Sequence, residues 1–174
     1  MIPSGLTNQE ETRWICDRAE ERLVIAEIGS YIGELTLQMA FKTRGTVYAI
    51  DLWDTSLLPD NAHYQEFRDH PADWFFYQFL ERMSGALEVG KVKMVRLPSV
   101  EAAKSLEAVS FDMVFIDASH DYESVKADIL AWRPLLKIGG LLCGHDFEEH
   151  RGVPQAVREL VPNFKLGPGS IWYV

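Results

Sequence analysis

The sequence predicts an α/β domain built on a mostly parallel sheet. Three observations carry that expectation. Short apolar runs alternate with longer amphipathic stretches, the pattern of successive βαβ units. The run Phe111 to Ile116 is almost wholly apolar, as a strand buried on both faces should be. The 174 residues suffice for one core, with no repeat, low-complexity segment or linker to divide them.

The elements follow in order. Residues 7–21 read as a helix carrying Trp14, Ile15 and Ala19. Leu23 to Ala26 is a buried first strand, closed by Gly29, and a helix runs from about Gly33 to Thr43. Thr46 to Ile50 is a second strand ending at Asp51. Residues 52–71 are irregular, with Pro59, Asn61 and Pro71, and form a candidate lid. Residues 72–88 are helical, with Phe76, Leu80, Met83 and Leu87 recurring at three- and four-residue steps. Lys91 to Arg96 and Phe111 to Ile116 are the third and fourth strands. A helix spans Tyr122 to Leu136, Gly139-Gly140 turns the chain, and Leu141 to Gly144 is the fifth strand. Residues 153–161 are helical, and the tail from Phe164 to Val174 is a hairpin around Gly167-Pro168-Gly169.

Composition excludes several classes. The net charge of −9 lacks the basic footprint of a nucleic-acid binder and argues against an anionic membrane surface. No apolar run approaches the roughly 20 residues of a membrane span, and the first residues carry no signal-peptide pattern. The expectation is a cytoplasmic protein acting on a small molecule, with a homodimer left open. Cys16 and Cys143 belong to no ligand spacing and read as buried thiols.

The first βα turn reads Glu27-Ile28-Gly29-Ser30-Tyr31-Ile32-Gly33. Glycine lets backbone take positive φ close to a ligand, and the helix start offers free N–H groups and partial positive charge. Eighteen residues after Gly33, Asp51 ends the second strand, where a carboxylate accepts from ribose hydroxyls. A dinucleotide fingerprint needs glycine where Tyr31 and Glu34 stand, and no Gly-Lys-Ser/Thr occurs. A ligand with a ribose and no phosphate fits better. S-adenosylmethionine is one: its carboxylate suits the helix start, and its ammonium suits Glu27. Leu52 and Trp53, just past Asp51, and Ser99, just past the third strand, are candidate cofactor contacts on the adenine side.

These segments resemble class I S-adenosylmethionine-dependent methyltransferases. Glu27-Ile28-Gly29-Ser30-x-x-Gly33 resembles their first motif, Val47 to Asp51 their acidic second motif, and Phe111 to Asp117 their fourth-strand motif. The resemblance implies a three-layer Rossmann-like fold, with a seven-stranded, mostly parallel sheet whose last strand is antiparallel.

Two further segments, Asp117-Ala118-Ser119-His120-Asp121-Tyr122 and Gly144-His145-Asp146-Phe147, each follow a parallel strand. Ligands of such sheets bind beyond the strands' carboxyl ends, so Asp117, His120, His145 and Asp146 should converge. With Leu136-x-x-Gly139-Gly140, these segments resemble a branch containing macrolide sugar O-methyltransferases and cephalosporin hydroxylase-like proteins. That resemblance implies metal ligation by Asp117, His145 and Asp146, with His120 as base and Asp117 also at the cofactor. His145 departs from the branch's acidic pattern. Magnesium prefers oxygen, so a softer divalent ion, or none, stays open.

The bland readings stand beside these. Asp117 is otherwise a turn cap or a cofactor contact, His120 a helix-start neighbour, and His145 a structural hydrogen-bonding residue. Asp112 and Asp121 read as solvated turn residues, Phe147 as pocket wall or core, and His63 and His70 as solvated loop histidines. Trp53, Trp74, Phe75 and Tyr77 line an aromatic acceptor pocket or form a packed helix face. The expected function is O-methylation of a small hydroxylated molecule, possibly a sugar. The rival is a methyltransferase-like module that binds cofactor or metal without transfer. Hydroxylase chemistry lacks an evident iron triad, and nucleic-acid methylation lacks its base-flipping motif.

Overall fold

The computed structural model describes residues 7–57, 67, 69–147 and 152–174. Its strands are β1 (Val24–Ile28), β2 (Thr46–Ile50), β3 (Val92–Val95), β4 (Phe111–Ile116), β5 (Leu136–Gly144), β6 (Lys165–Leu166) and β7 (Trp172–Tyr173). They form one seven-stranded sheet in the order β3-β2-β1-β4-β5-β7-β6. Strands β1 to β5 pair in parallel, and β7 runs antiparallel to both β5 and β6. This is the α/β sheet the sequence predicts, with its antiparallel ending.

Among the described residues, six helices cover the two faces: α1 (Gln9–Glu20), α2 (Glu34–Lys42), α3 (Trp74–Glu88), α4 (Ser99–Ser105), α5 (Tyr122–Trp132) and α6 (Gly152–Leu160). Alternation along each strand sorts the side chains. Ile25, Val47 and Phe115 pack with Ile15 of α1, Met39 of α2 and Phe79 of α3. Their neighbours Ala26, Ile50 and Val114 pack on the other face with Ala102 of α4, Ile129 of α5 and Val157 of α6. The result is three layers. Fully burying one such large apolar side chain stabilises by roughly 1.5–3 kcal/mol. Among the described residues, no helix is long and apolar enough to cross a membrane.

The structure departs from the sequence reading at four places. Helix α5 ends at Trp132, not Leu136. A 3-10 turn over Arg133–Leu135 follows, and Leu136 already belongs to β5. Pro134 has no N–H to continue the helix, which accounts for the early stop. Gly139, at φ +77°, sits inside β5 at a register shift against β4 rather than before the strand. On α3 the buried face is Phe75, Phe79 and Met83, while Phe76 is half-buried with the Arg96 guanidinium 4.2 Å above its ring. Helix α4, to which the sequence reading assigns no element, is seven residues long, too short for a periodic signal.

Asp112 is not a solvated turn residue. It lies in β4, and its carboxylate accepts the N–H groups of Leu23 (3.1 Å) and Val24 (2.9 Å) and the Lys137 ammonium (2.8 Å). It thereby pins the start of β1 and the outer part of β5 to the central strand. Cys16 and Cys143 are buried free thiols.

Candidate active site

The turn from β1 into α2 is held by close backbone approach. Gly29 has φ +91°, and a Cβ there would lie 2.1 Å from the Asp117 carbonyl oxygen. Gly33, at φ +81°, caps α2, and a Cβ there would meet Met83 and Phe79 of α3 within 3 Å. The positive φ favours glycine at both positions, and at Gly29 the backbone clash excludes a larger residue as well. Tyr31 takes φ +47° and stacks edge-on against Phe75 at 4.8 Å.

Asp51 closes this turn from β2. Its Oδ2 accepts the Tyr31 N–H at 2.8 Å, and its Oδ1 accepts the Trp53 N–H at 2.8 Å. The backbone N–H groups of Leu52 and Ser30 also act on this carboxylate. Burial raises the Asp51 carboxyl above its ordinary value, against the pull of those N–H groups. Glu27, 2% exposed, accepts a hydrogen bond from the Thr36 hydroxyl. Burial pushes its carboxyl up to about 8, and the nearby Asp117 and Asp51 add to the rise. A buried acid of this kind is ready for a cationic partner. Ser30 is buried, and its hydroxyl donates to the Glu27 carbonyl at 3.3 Å.

The adenine-side candidates differ in placement. Leu52 is half-buried, and its carbonyl accepts Arg96 Nε at 2.9 Å. The Trp53 ring is 1% exposed, donates Nε1 to the Tyr31 carbonyl at 2.5 Å and packs 4.5 Å from Phe79. Its side chain therefore belongs to the core beneath the turn. The Ser99 hydroxyl accepts Trp132 Nε1 at 2.9 Å and donates to Asp128, so it faces α5. Phe75 is likewise core, while Tyr77 is exposed, so the aromatic residues of α3 do not line one common wall. His70 stacks on Trp74 at 4.4 Å. His63 and residues 58–66 of the candidate lid lie outside the described residues. At the other end of that segment Phe67 is buried against Trp74 and Phe75.

Asp117 and His145 stand at the carboxyl ends of the adjacent strands β4 and β5, paired next to Ile116↔Gly144. His120 and Asp146 follow them. His120 Nε2 lies 2.7 Å from Asp146 Oδ2. Asp117, His120 and Asp146 each present one ligand atom, and these atoms lie within 4.8 Å of one another. The four residues expected to converge do so.

His145 sits on the inner side of this group and is 7% exposed. Its Nε2 is turned away from the group, 3.1 Å from Glu11 Oε1 and 3.0 Å from the Ser170 hydroxyl. Its Nδ1 lies 3.5 Å from Asp146 Oδ2 and 3.8 Å from Asp117 Oδ1, and makes no hydrogen bond. The grouped ligand atoms are those of Asp117, His120 and Asp146, with His145 Nδ1 beside them.

The charges around this group are unequal. Burial pushes the Asp117 carboxyl up to about 6, although His145 and His120 pull it down. Burial acts the same way on Asp146, but the hydrogen bond to His120 and the charges of His120 and His145 override it and hold that carboxyl low. Burial lowers the His145 imidazole, yet Asp146, Asp117 and Glu11 together raise it to about 9. Three acids thus surround His145 and favour its protonated form.

Glu11 and Ser170 lie 159 residues apart and meet only in the fold. The one sequence signal for Glu11 is its place three residues after Asn8, the spacing of a capping box, which the structure forms. Phe147 packs on Phe164 at 5.1 Å, and Asp121 caps α5 by accepting the Ser124 N–H.

The comparisons bear on the fold and the family. Residues 26–147 match the family of methyltransferase domains. No curated protein matches the sequence. Solved structures share the fold, among them three methyltransferases. An O-methyltransferase from Bacillus cereus in complex with SAH superposes with a TM-score of 0.66 at 15% identity, over 99% of this chain and 84% of that one. A TDP-rhamnose 3'-O-methyltransferase of calicheamicin biosynthesis gives 0.60 at 17% identity, over 94% and 76%. A precorrin-6y C5,15-methyltransferase from Geobacter metallireducens gives 0.66 at 17%, over 92% and 74%. With its glycine turn, its acidic second strand and a family match across the central strands, the chain belongs to the methyltransferase domain family.

Proposed function

We propose that this chain is an S-adenosylmethionine-dependent methyltransferase acting on a hydroxyl of a small molecule such as a sugar, with His120 as base. The observation that carries the reading is the His120–Asp146 pair, 2.7 Å apart, beside Asp117 and one strand from the Gly29 turn. When bound, S-adenosylmethionine supplies a methyl group activated on a sulfonium. Glu27 is the acid for its ammonium, the start of α2 receives its carboxylate, and Asp51 holds its ribose.

His120 takes the hydroxyl proton as the oxygen attacks the methyl carbon. The bound donor would supply the methyl group to that oxygen and would leave as a neutral thioether. Asp146 stabilises the imidazolium that results. A residue of this type supplies about 10²–10⁴-fold, and holding the reactants in line supplies much of the rest.

Calorimetry with S-adenosylmethionine tests the cofactor half, and no binding at millimolar donor would sink it. His120→Ala should then abolish transfer to hydroxylated acceptors while leaving donor affinity nearly intact. Equal loss of both would make His120 structural.

A second reading is supported by the grouping of Asp117, His120 and Asp146 within 4.8 Å. Two carboxylates and an imidazole suit a divalent ion softer than magnesium. These three residues would hold it, and it would lower the pKa of a bound hydroxyl. In that reading His120 is a ligand, and the chain is either a metal-assisted enzyme or a module that binds without transfer. Transfer that survives chelation supports His120 as base; binding of donor with no transfer to any acceptor supports the module.

A further inference from the structure

Glu11 uses its two carboxylate oxygens for two different purposes. Oε2 accepts the Asn8 N–H at 2.7 Å, completing the capping box of α1. A cap needs no more than that. Oε1 reaches the other end of the chain instead. It accepts the Ser170 N–H at 2.9 Å and lies 3.1 Å from His145 Nε2. The side chain is buried, unlike that of Glu10 beside it. The hairpin makes room for it: Gly169 takes φ +58°, and a Cβ there would stand 2.0 Å from Oε1.

We propose that Glu11 is a positioning residue of the site: it holds the His145 ring through Nε2, so that Nδ1 faces Asp117 and Asp146. The chemistry is one-directional. A carboxylate only accepts, so the nitrogen against Glu11 carries the proton. Ser170 adds its hydroxyl to the same nitrogen at 3.0 Å. The ring is then fixed from behind, and Nδ1, 3.5 Å from Asp146 Oδ2, is the atom the site receives. Asp146 in turn holds His120. Helix α1 is thereby part of the site's assembly, although it contributes no residue that touches the reacting atoms. The proposal rests on reading Asp117, His120 and Asp146 as the chemistry site.

The test is ring-nitrogen NMR of the full chain carrying isotope-labelled histidine, with His145 assigned through His145→Gln. Glu11→Ala and the milder Glu11→Gln should each move the His145 Nε2 signal and speed exchange of its proton more than tenfold. Asn8→Ala removes the cap but leaves Oε1 in place, and should leave that signal where it is. An equal shift in Asn8→Ala would mean that Glu11 acts only by docking α1, and would overturn the proposal. No shift in the Glu11 variants would overturn it as well. The spectra need no cofactor. Failure of the wild-type chain to bind S-adenosylmethionine would therefore count against the proposed function alone.

Discussion

Gly29 and Asp117 are in backbone contact: the space where a Cβ of Gly29 would stand is occupied by the Asp117 carbonyl, 2.1 Å away. The Asp117 N–H also donates to the Ile28 carbonyl at 2.8 Å. The glycine turn and the acid at the end of β4 are therefore joined through their backbones.

Gly29→Ala should break that junction. The residue would carry both a strained positive φ and a backbone clash, together about 2–5 kcal/mol. Chemical denaturation of the variant reads the loss. A change below about 0.5 kcal/mol, the range of an ordinary surface substitution, would show that the turn relaxes freely.

Glu27 carries a folding penalty on its ionised form. Its folded pKa, near 8, lies above the ordinary 4.5, so the ionised form is disfavoured by folding. Stability is full below about pH 4.5 and falls as pH rises towards 8. Glu27→Gln removes this penalty and should stabilise the cofactor-free protein at pH 7 by roughly 1–3 kcal/mol. If Glu27 meets the donor's ammonium, the same variant should weaken donor binding at least tenfold. Donor binding to the wild type should also release protons at pH 7, seen as a dependence of calorimetric heat on the buffer's ionisation enthalpy. A variant that is less stable and binds equally well would refute this assignment.

Asp128 is the corresponding group without a functional counterpart. It is buried on α5 and bonded by the Ser99 hydroxyl, and burial pushes it up to about 6. Its contribution to stability is lost as pH rises from about 4 to about 6. Asp128→Asn keeps an acceptor for Ser99. It should raise the melting temperature at pH 7.5 and leave it unchanged near pH 4. An equal change at both values would remove the titration from the explanation.

Asp112→Ala should leave the Leu23 and Val24 N–H groups without their acceptor and free the Lys137 ammonium. The expected cost is about 1–3 kcal/mol. Hydrogen exchange should quicken first at the start of β1. Uniform quickening over the whole sheet would mean that the effect is global.

Much of the site was legible because it lies in short, contiguous segments. Glu27 to Gly33, Asp51, Asp117 to His120 and His145-Asp146 each follow a strand, and a parallel sheet delivers all such ends to one edge. The places of Trp53 and Ser99 were not legible. Proximity to Asp51 puts Trp53 near the turn, but only packing decides that its ring goes into the core against Phe79. Ser99 faces α5 because α4 begins there, a helix too short for any period to show.

The sequence by itself determined the α/β class, the strand-end location of the site and the glycine turn, since these follow from local patterns of period two and 3.6 and from residues within one segment. Only the tertiary structure decided which histidine meets which acid. Orientation of a ring depends on partners brought from far along the chain. Glu11 and Ser170 turn His145 Nε2 to the back. Asp146 holds His120, and the Asp117 group forms in front. No local spacing encodes a contact between residues 159 positions apart.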